Sequence, residues 1–472
     1  MSGSRSPVPR RPRRLALRLL VGSLLALAAV AALVVGLARH DETPTDPTWT
    51  LPPGAWNRLA LDDAARGATE EDLAQLLSLP YSAGGAPAES AVGVVHHDGA
   101  RAHQGLNLYV SGHGTEVILV TMDGDFVHRW RRAFTEVFPE RPPGPETDFI
   151  RRARLLDDGS VVVLYQGGGL ARLAPDSEVI WAVPGAFFND FDLGGDRLFA
   201  IGKSVRRLPA VRTDGPVLED FVAVLDAATG TERSRTPLLP AFRRSGFEAL
   251  LEPLPPIADI FHSNTIAVLG DPAFDGAPPG AAGVDTDDGP GEQIALGEAR
   301  HRVRQLFAPG RLLLSLREID TLALLDLDDE TIVWAQRGPW MAQHEPVPIA
   351  GERLLLFDNR GGTDRHSRVL LWDLVREEIA WSFEHPRIHS PLAGTVATLG
   401  AAGHLLVTAS GQGRALELDD RGSVVWEWVS PHRAGDDDQL VATLFEIQRL
   451  ESARPGGADL EALLRPGEPQ RR

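Results

Sequence analysis

The chain has 472 residues, a formal net charge of −18 and no cysteine. Acidity on that scale argues against nucleic acid as a partner, because phosphate binding needs a basic face. The lack of cysteine excludes thiolate nucleophiles, disulfides and zinc–thiolate sites, and a single lysine, Lys203, leaves almost no candidate for Schiff-base or P-loop chemistry.

In chain order, residues 1–18 form a basic leader carrying Arg5, Arg10, Arg11, Arg13, Arg14 and Arg18. An uninterrupted apolar run follows, Leu19 to Ala38, long enough to cross a bilayer as one helix. The basic flank sets the leader in the cytoplasm and everything after Arg39 outside it, in the periplasm of a cell with two membranes. No small-x-small cleavage site follows, so the run reads as an uncleaved signal anchor. The Arg13-Arg14 pair is only a weak match to a twin-arginine export signal. Residues 39–90 read as a linker: His40 to Pro53 is polar, and Thr69-Glu70-Glu71-Asp72 caps a short helix through Leu73, Leu76 and Leu77 that stops at Pro80.

From about Gly93 the pattern changes to strands and turns, and one phrase recurs. A polar turn precedes β-branched or apolar residues and then Trp, as in Asp123 to Trp130, Asp176 to Trp181, Asp328 to Trp334, Glu377 to Trp381 and Asp420 to Trp426. A degenerate copy runs from Asp226 through Gly230 to Arg233. Each copy, with the apolar strand before it, is a hairpin. The period matches one four-stranded propeller blade, so the fold expected is all-β, a roughly six-bladed β-propeller over 91–452, preceded by the membrane helix and the helical linker and followed by a flexible tail, 453–472. Asp271 to Glu298, rich in Gly, Pro, Ala and Asp, reads as a long loop inserted between strands. Its Asp285-Thr286-Asp287-Asp288-Gly289 starts like a calcium loop but lacks the closing Glu, so no metal site is expected.

Three strand ends place a His or Arg where an apolar run opens into a loop. In Asp259 to Thr265, an extended backbone would point His262 and Asn264 to one face. In Leu312 to Arg317, Ser315 and Arg317 would share a face; a plain reading pairs Arg317 with Asp320 or Asp326. In Gly338 to Pro346, His344 sits beside an X-Pro turn. A lone His in a β-repeat turn is commonly just a backbone hydrogen bond. Comparable positions in successive blades would instead gather these residues at one mouth of the channel. Trp340, Phe187 and Phe188 either offer that mouth an aromatic lining or pack between blades.

Taken together these segments resemble the bacterial arylsulfotransferase family, the sulfotransferases that do not use the nucleotide sulfate donor. The resemblance runs from about Pro80 to Pro431, through Gly105 to His113, His262-x-Asn264, Ser315-x-Arg317, Gly338-Pro339 with Gln343-His344, Phe357 to Gly361, and Gly422 to Trp426. It implies ping-pong transfer of a sulfuryl group from a phenolic sulfate ester to a phenol through a sulfohistidine. In that scheme His344 is the nucleophile, His262 the acid/base, Asn264 its support and Arg317 the holder of sulfate oxygens, with no cofactor or metal. One departure stands out. The family's His-His-Asp segment is matched here by Phe188-Asn189-Asp190, while His96-His97-Asp98 precedes the first blade and is taken as coincidental. The alternative is therefore a catalytically silent propeller that binds a ligand or protein at the membrane surface. A quinone-dependent dehydrogenase would need a broad aromatic floor, for which the sequence makes no clear case.

Overall fold

The computed structural model describes residues 86–451 and Leu464, apart from 144–146, 207, 209–215, 253–257, 271–289 and 436. The apolar run Leu19 to Ala38, the short helix near Leu73 and the Asp285 to Gly289 turn lie outside the described residues. Among the described residues no helix is long and apolar enough to cross a membrane.

Six antiparallel sheets form the propeller. Blade 2 runs through Ile150–Leu155, Val161–Tyr165, Gly169–Leu173 and Val179–Pro184. Blade 3 runs through Phe187–Gly194, Arg197–Arg206, Val217–Asp226 and Glu232–Pro237, and blade 4 through Ser263–Val268, Leu312–Leu316, Thr321–Asp326 and Thr331–Arg337. Blade 5 comprises His344–Ile349, Arg353–Asp358, Arg368–Asp373 and Glu378–Glu384; blade 6 comprises Thr395–Leu399, His404–Ala409, Arg414–Leu418 and Val424–Val429. Blade 1 is composite. Its first strand, Leu444–Leu450, comes from the far end of the chain and pairs with Leu106–Ser111, followed by Glu116–Val120 and Phe126–Arg131. The first strands of successive blades touch one another around the ring, which makes them the channel wall. A second closure lies at the rim, where Gly93–His97 adds a fifth strand to the outer edge of blade 6.

The blades are held by six apolar clusters, each shared by two neighbouring blades. Strand alternation explains the division. In Val161–Tyr165, Val161, Val163 and Tyr165 pack toward blade 1, whereas Val162 and Leu164 pack toward blade 3. Such a strand is buried on both faces, and so its sequence is continuously apolar rather than alternating. The recurrent hairpin has a structural signature too. In all six blades the register between third and fourth strands shifts beside the turn. The indole N–H groups of Trp130, Trp181 and Trp426 then donate to loop carbonyls of the next blade, at Gly159, Ala227 and Met122.

The inserted segment differs from expectation. Pro290–Leu306 is a helix between the first two strands of blade 4, so the loop read over Asp271 to Glu298 overlaps its start. The run Glu298-Ala299-Arg300 through Arg304-Gln305-Leu306 supplies a reason, since it is made largely of strong helix formers. Short helices at Phe134–Val137 and Leu238–Arg243 carry the chain between blades 1 and 2 and between blades 3 and 4.

Candidate active site

The second strand of each blade ends beside the start of the first strand, so all six blades contribute to one mouth. There the backbone departs from ideal strand geometry. Asn189, His262, Ala342 and Glu345 have positive φ, at 63°, 45°, 54° and 48°. The innermost pairings of blades 2 to 5 also shift register near the mouth. Non-glycine residues in this region store strain, and strain of this kind collects at functional sites.

His344 is buried, and its Nδ1 lies 2.7 Å from Asn359 Oδ1 and 3.1 Å from the Ala342 carbonyl. The Asn359 amide is itself oriented, because its Nδ2 donates to the Ser390 carbonyl at 2.6 Å. Two acceptors therefore face Nδ1, which must carry the ring proton and leave the lone pair on Nε2. Burial, then the charges of Arg317, Arg151 and His262, push the His344 pKa well below its ordinary value, outweighing the Asn359 hydrogen bond that raises it. His344 is thus a neutral imidazole on which the guanidinium groups of Arg317 and Arg151 act.

The other predicted residues converge on it. Asn264 Nδ2 donates to the carbonyl of Gln343 at 2.8 Å, and Ser315 Oγ donates to the same oxygen at 2.9 Å. These two bonds, with Gln343 Nε2 donating to the Thr321 carbonyl at 3.2 Å, pin the backbone that carries His344. Arg317 begins a short 3₁₀ turn after its strand, and its N–H donates to the His262 carbonyl at 3.4 Å. Its guanidinium pairs with Glu318 rather than with Asp320 or Asp326. The shared faces expected from an extended chain do not hold, because the left-handed turn at His262 and the 3₁₀ turn at Arg317 break the alternation. His262 Nδ1 instead bonds Asp259 Oδ2 at 2.7 Å, while Asn264 reaches across to blade 5.

Below the mouth the channel is filled with charge. Arg152, 2% exposed, contacts Asp190 at 2.7 Å, Glu345 at 2.9 Å and Glu446 at 3.0 Å, and Arg154 adds a second bond to Glu446 at 2.9 Å. Asp190, the survivor of the His-His-Asp segment, is thereby part of a plug joining blades 2, 3, 5 and 1. Asn189, where a histidine stood in the resemblance, donates from Nδ2 to the Ser263 carbonyl at 2.8 Å and accepts from Gln166. Phe187 and Trp340 are buried between blades, with Phe187 against Phe221 and Trp340 against Trp372, whereas Phe188, also buried, packs its ring against Gly167. His96-His97-Asp98 lies at the outer edge of blade 6, with His97 on Asp123.

Several groups at the mouth were not singled out from sequence. Asn359 sits inside the Phe357 to Gly361 turn, and Asp259 stands three residues before His262. Arg151 lies over Phe445 at the start of the blade 2 inner strand, with no local signal to mark it. Among the described residues no group of His, Asp or Glu could hold a metal ion.

No curated protein matches the chain. Among solved structures, a protein of unknown function from Bacteroides caccae is 11% identical, covering 73% of this chain and 98% of its own at a TM-score of 0.40. Virginiamycin B lyase from Staphylococcus aureus is 10% identical over 73% of this chain and 90% of its own, with a TM-score of 0.37. A streptogramin B lyase is 10% identical over 79% and 96%, with a TM-score of 0.38. The arylsulfotransferase (ASST) family matches residues 214–432, a span that holds His262, Asn264, Arg317 and His344. This match supports assigning residues 214–432 to the arylsulfotransferase (ASST) family.

Proposed function

We propose that the chain transfers a sulfuryl group from a phenolic sulfate ester to a second phenol, with His344 carrying the group between them. The observation that supports this most is the state of His344: Nδ1 is occupied by two oxygen acceptors, and the neutral ring is set among Arg317, Arg151 and His262. Sulfuryl transfer, like phosphoryl transfer, needs in-line positioning and cations on the equatorial oxygens more than covalent assistance. In the first half-reaction Nε2 of His344 attacks sulfur, the S–O bond to the phenol breaks, and the leaving oxygen takes a proton from His262. In the second, His262 takes the proton of the acceptor phenol as its oxygen attacks sulfur. The S–N bond then breaks, and His344 leaves as the neutral imidazole. Protons and electron pairs balance without any further reactant. Arg317 and Arg151 bear the charge on the non-bridging oxygens.

The test follows nitrophenol release from nitrophenyl sulfate by the full chain, with and without added phenol. Release that accelerates with phenol supports the proposal. The Asn359→Ala chain, with its Nδ1 acceptor removed, is expected to release nitrophenol roughly 10- to 100-fold more slowly. Because the His344 pKa is depressed, protonation of the nucleophile should not slow the first half-reaction as pH falls from 7 toward about 5. A rate tracking an ordinary histidine titration over that range would sink this reading of the nucleophile.

Asn189 favours the second reading, a silent binding propeller, because an amide committed to clamping blades 2, 3 and 4 stands where the resemblance expects a cation. No release from any of several aryl sulfates would leave that reading in place. We further propose that the propeller stands outside the cytoplasmic membrane, tethered by Leu19 to Ala38. Protease added to intact spheroplasts should then remove the propeller, and full protection would refute the tether.

A further inference from the structure

We propose that Lys203, Asp220 and Asp259 are positioning residues for His262, fixing which ring nitrogen carries the proton so that exchange with the phenolic oxygen occurs at Nε2. The inference deepens the sulfuryl-transfer reading and rests on it.

Lys203 is the single lysine among 47 Lys and Arg residues, so arginine is this chain's ordinary cation. It is not at the surface but 2% exposed, in the second strand of blade 3. Its Nζ lies 2.5 Å from Asp259 Oδ1 and 3.2 Å from Asp220 Oδ1. A compact ammonium can bridge two carboxylates in a space where a planar guanidinium fork would impose its own geometry. Both aspartates then grip the His262 segment. Asp259 Oδ2 holds His262 Nδ1 at 2.7 Å, and Asp259 Oδ1 accepts the His262 backbone N–H at 3.2 Å. Asp220 Oδ2 accepts the backbone N–H of Ser263 at 2.7 Å. Every oxygen of the two carboxylates is used, and three of the contacts end on two consecutive residues.

The geometry accounts for the positive φ of His262. A left-handed residue persists only when its surroundings over-determine it, and this cluster holds its ring and its own and the next N–H. Burial raises the Asp259 carboxyl, but the charges of Lys203 and His262 outweigh it and hold the group below its ordinary value, so Asp259 is a carboxylate that can only accept. The Nδ1 of His262 is therefore the donor. Other titratable residues close to this segment include Arg317, whose backbone N–H donates to the His262 carbonyl at 3.4 Å, and His344, on which His262 acts through space.

The test uses the full chain labelled with nitrogen-15 histidine, with the His262 signals assigned by their loss in His262→Gln. In its neutral form the wild-type ring should show a protonated Nδ1 and a pyridine-like Nε2, the nitrogen that gains a further proton when the ring serves as the acid, and Asp259→Asn should lose that signature. Lys203→Met leaves two buried carboxylates uncompensated and risks misfolding, so the charge-balanced pair Lys203→Met with Asp220→Asn is the second variant; it should broaden or shift the same signals. In nitrophenol release, Asp259→Asn is expected to lower kcat about 100-fold with KM for nitrophenyl sulfate changed less than about threefold. In a His262→Gln background it should lower kcat no further. An unchanged His262 tautomer in both variants, or an equal loss when His262 is already absent, overturns the proposal. If wild type releases no nitrophenol, the transfer reading fails, and the nitrogen-15 comparison still decides whether these residues set the tautomer.

Discussion

Incubated with an aryl sulfate ester and no acceptor, the full chain gains the mass of one sulfuryl group, and the His344→Ala chain gains none. The expectation follows from the ring's surroundings. Asn359 and Ala342 occupy Nδ1, so one nitrogen remains with a lone pair, and removing the imidazole removes the only atom the proposal uses to hold sulfur. Arg317, Arg151 and His262 persist in the variant, so a chain that only binds aryl sulfate should still bind it. Loss of the adduct with retained binding therefore separates nucleophile from subsite. Adding a phenol to the sulfated wild type should discharge the adduct. An adduct that forms equally in His344→Ala would move the acceptor atom elsewhere and end this assignment.

Arg152→Met is expected to destabilise the propeller by about 3–5 kcal/mol, because it leaves several buried carboxylates without their cation. Arg152 is the hub of the channel plug, contacting Asp190, Glu345 and Glu446 from three other blades. In wild type, burial raises the Glu446 carboxyl, but Arg152 and Arg154 outweigh it and hold it at about 2. That group stabilises the fold above its ordinary value of 4.5, and the contribution is lost as pH falls through about 2. Asp190 and Glu345 are already raised, by burial first. Without Arg152 they should favour the protonated form more strongly, so the variant loses stability as pH rises. Urea midpoints at pH 5 and pH 8 check this: the deficit of Arg152→Met should be larger at the higher pH. Equal midpoints for the two proteins at both values would mean that the plug contributes nothing net.

The propeller was legible because its signal is local. The turn and β-branched residues from Asp176 to Trp181 spell one hairpin within a few residues, and repetition then counts the blades. The strands were equally readable, since Val161 to Leu164 and Leu312 to Leu314 are apolar throughout for the simple reason that each face meets another blade. His262, Asn264, Arg317 and His344 were found through motif spacing, and the fold does bring them together. What spacing could not convey was side-chain direction, since a single left-handed residue at His262 and a 3₁₀ turn at Arg317 redirect the chain. Nor could it reveal the partners. Lys203 meets Asp220 and Asp259 across 17 and 56 residues of sequence, separations fixed by strand pairing in blade 3 and the return into blade 4. The Pro290–Leu306 helix was hidden by its own first turn, where Pro and Gly look like a loop.

The closing strand Leu444–Leu450 bears on the order in which the molecule is made. Its partner Leu106–Ser111 leaves the ribosome some 340 residues earlier, as the Asn107–Arg449 bond across 342 positions measures. Joining ends so far apart costs about 5 kcal/mol of chain entropy, which no early contact offsets. Blades 4 and 5, which carry His262 and His344, are contiguous and complete well before that strand appears. The chemistry of the mouth can therefore be assembled on an open arc, while the ring that protects it waits for the last residues of the propeller. A chain cut short before residue 444 would carry the reactive histidines without the closure that shields them, so the final strand doubles as a seal of completeness.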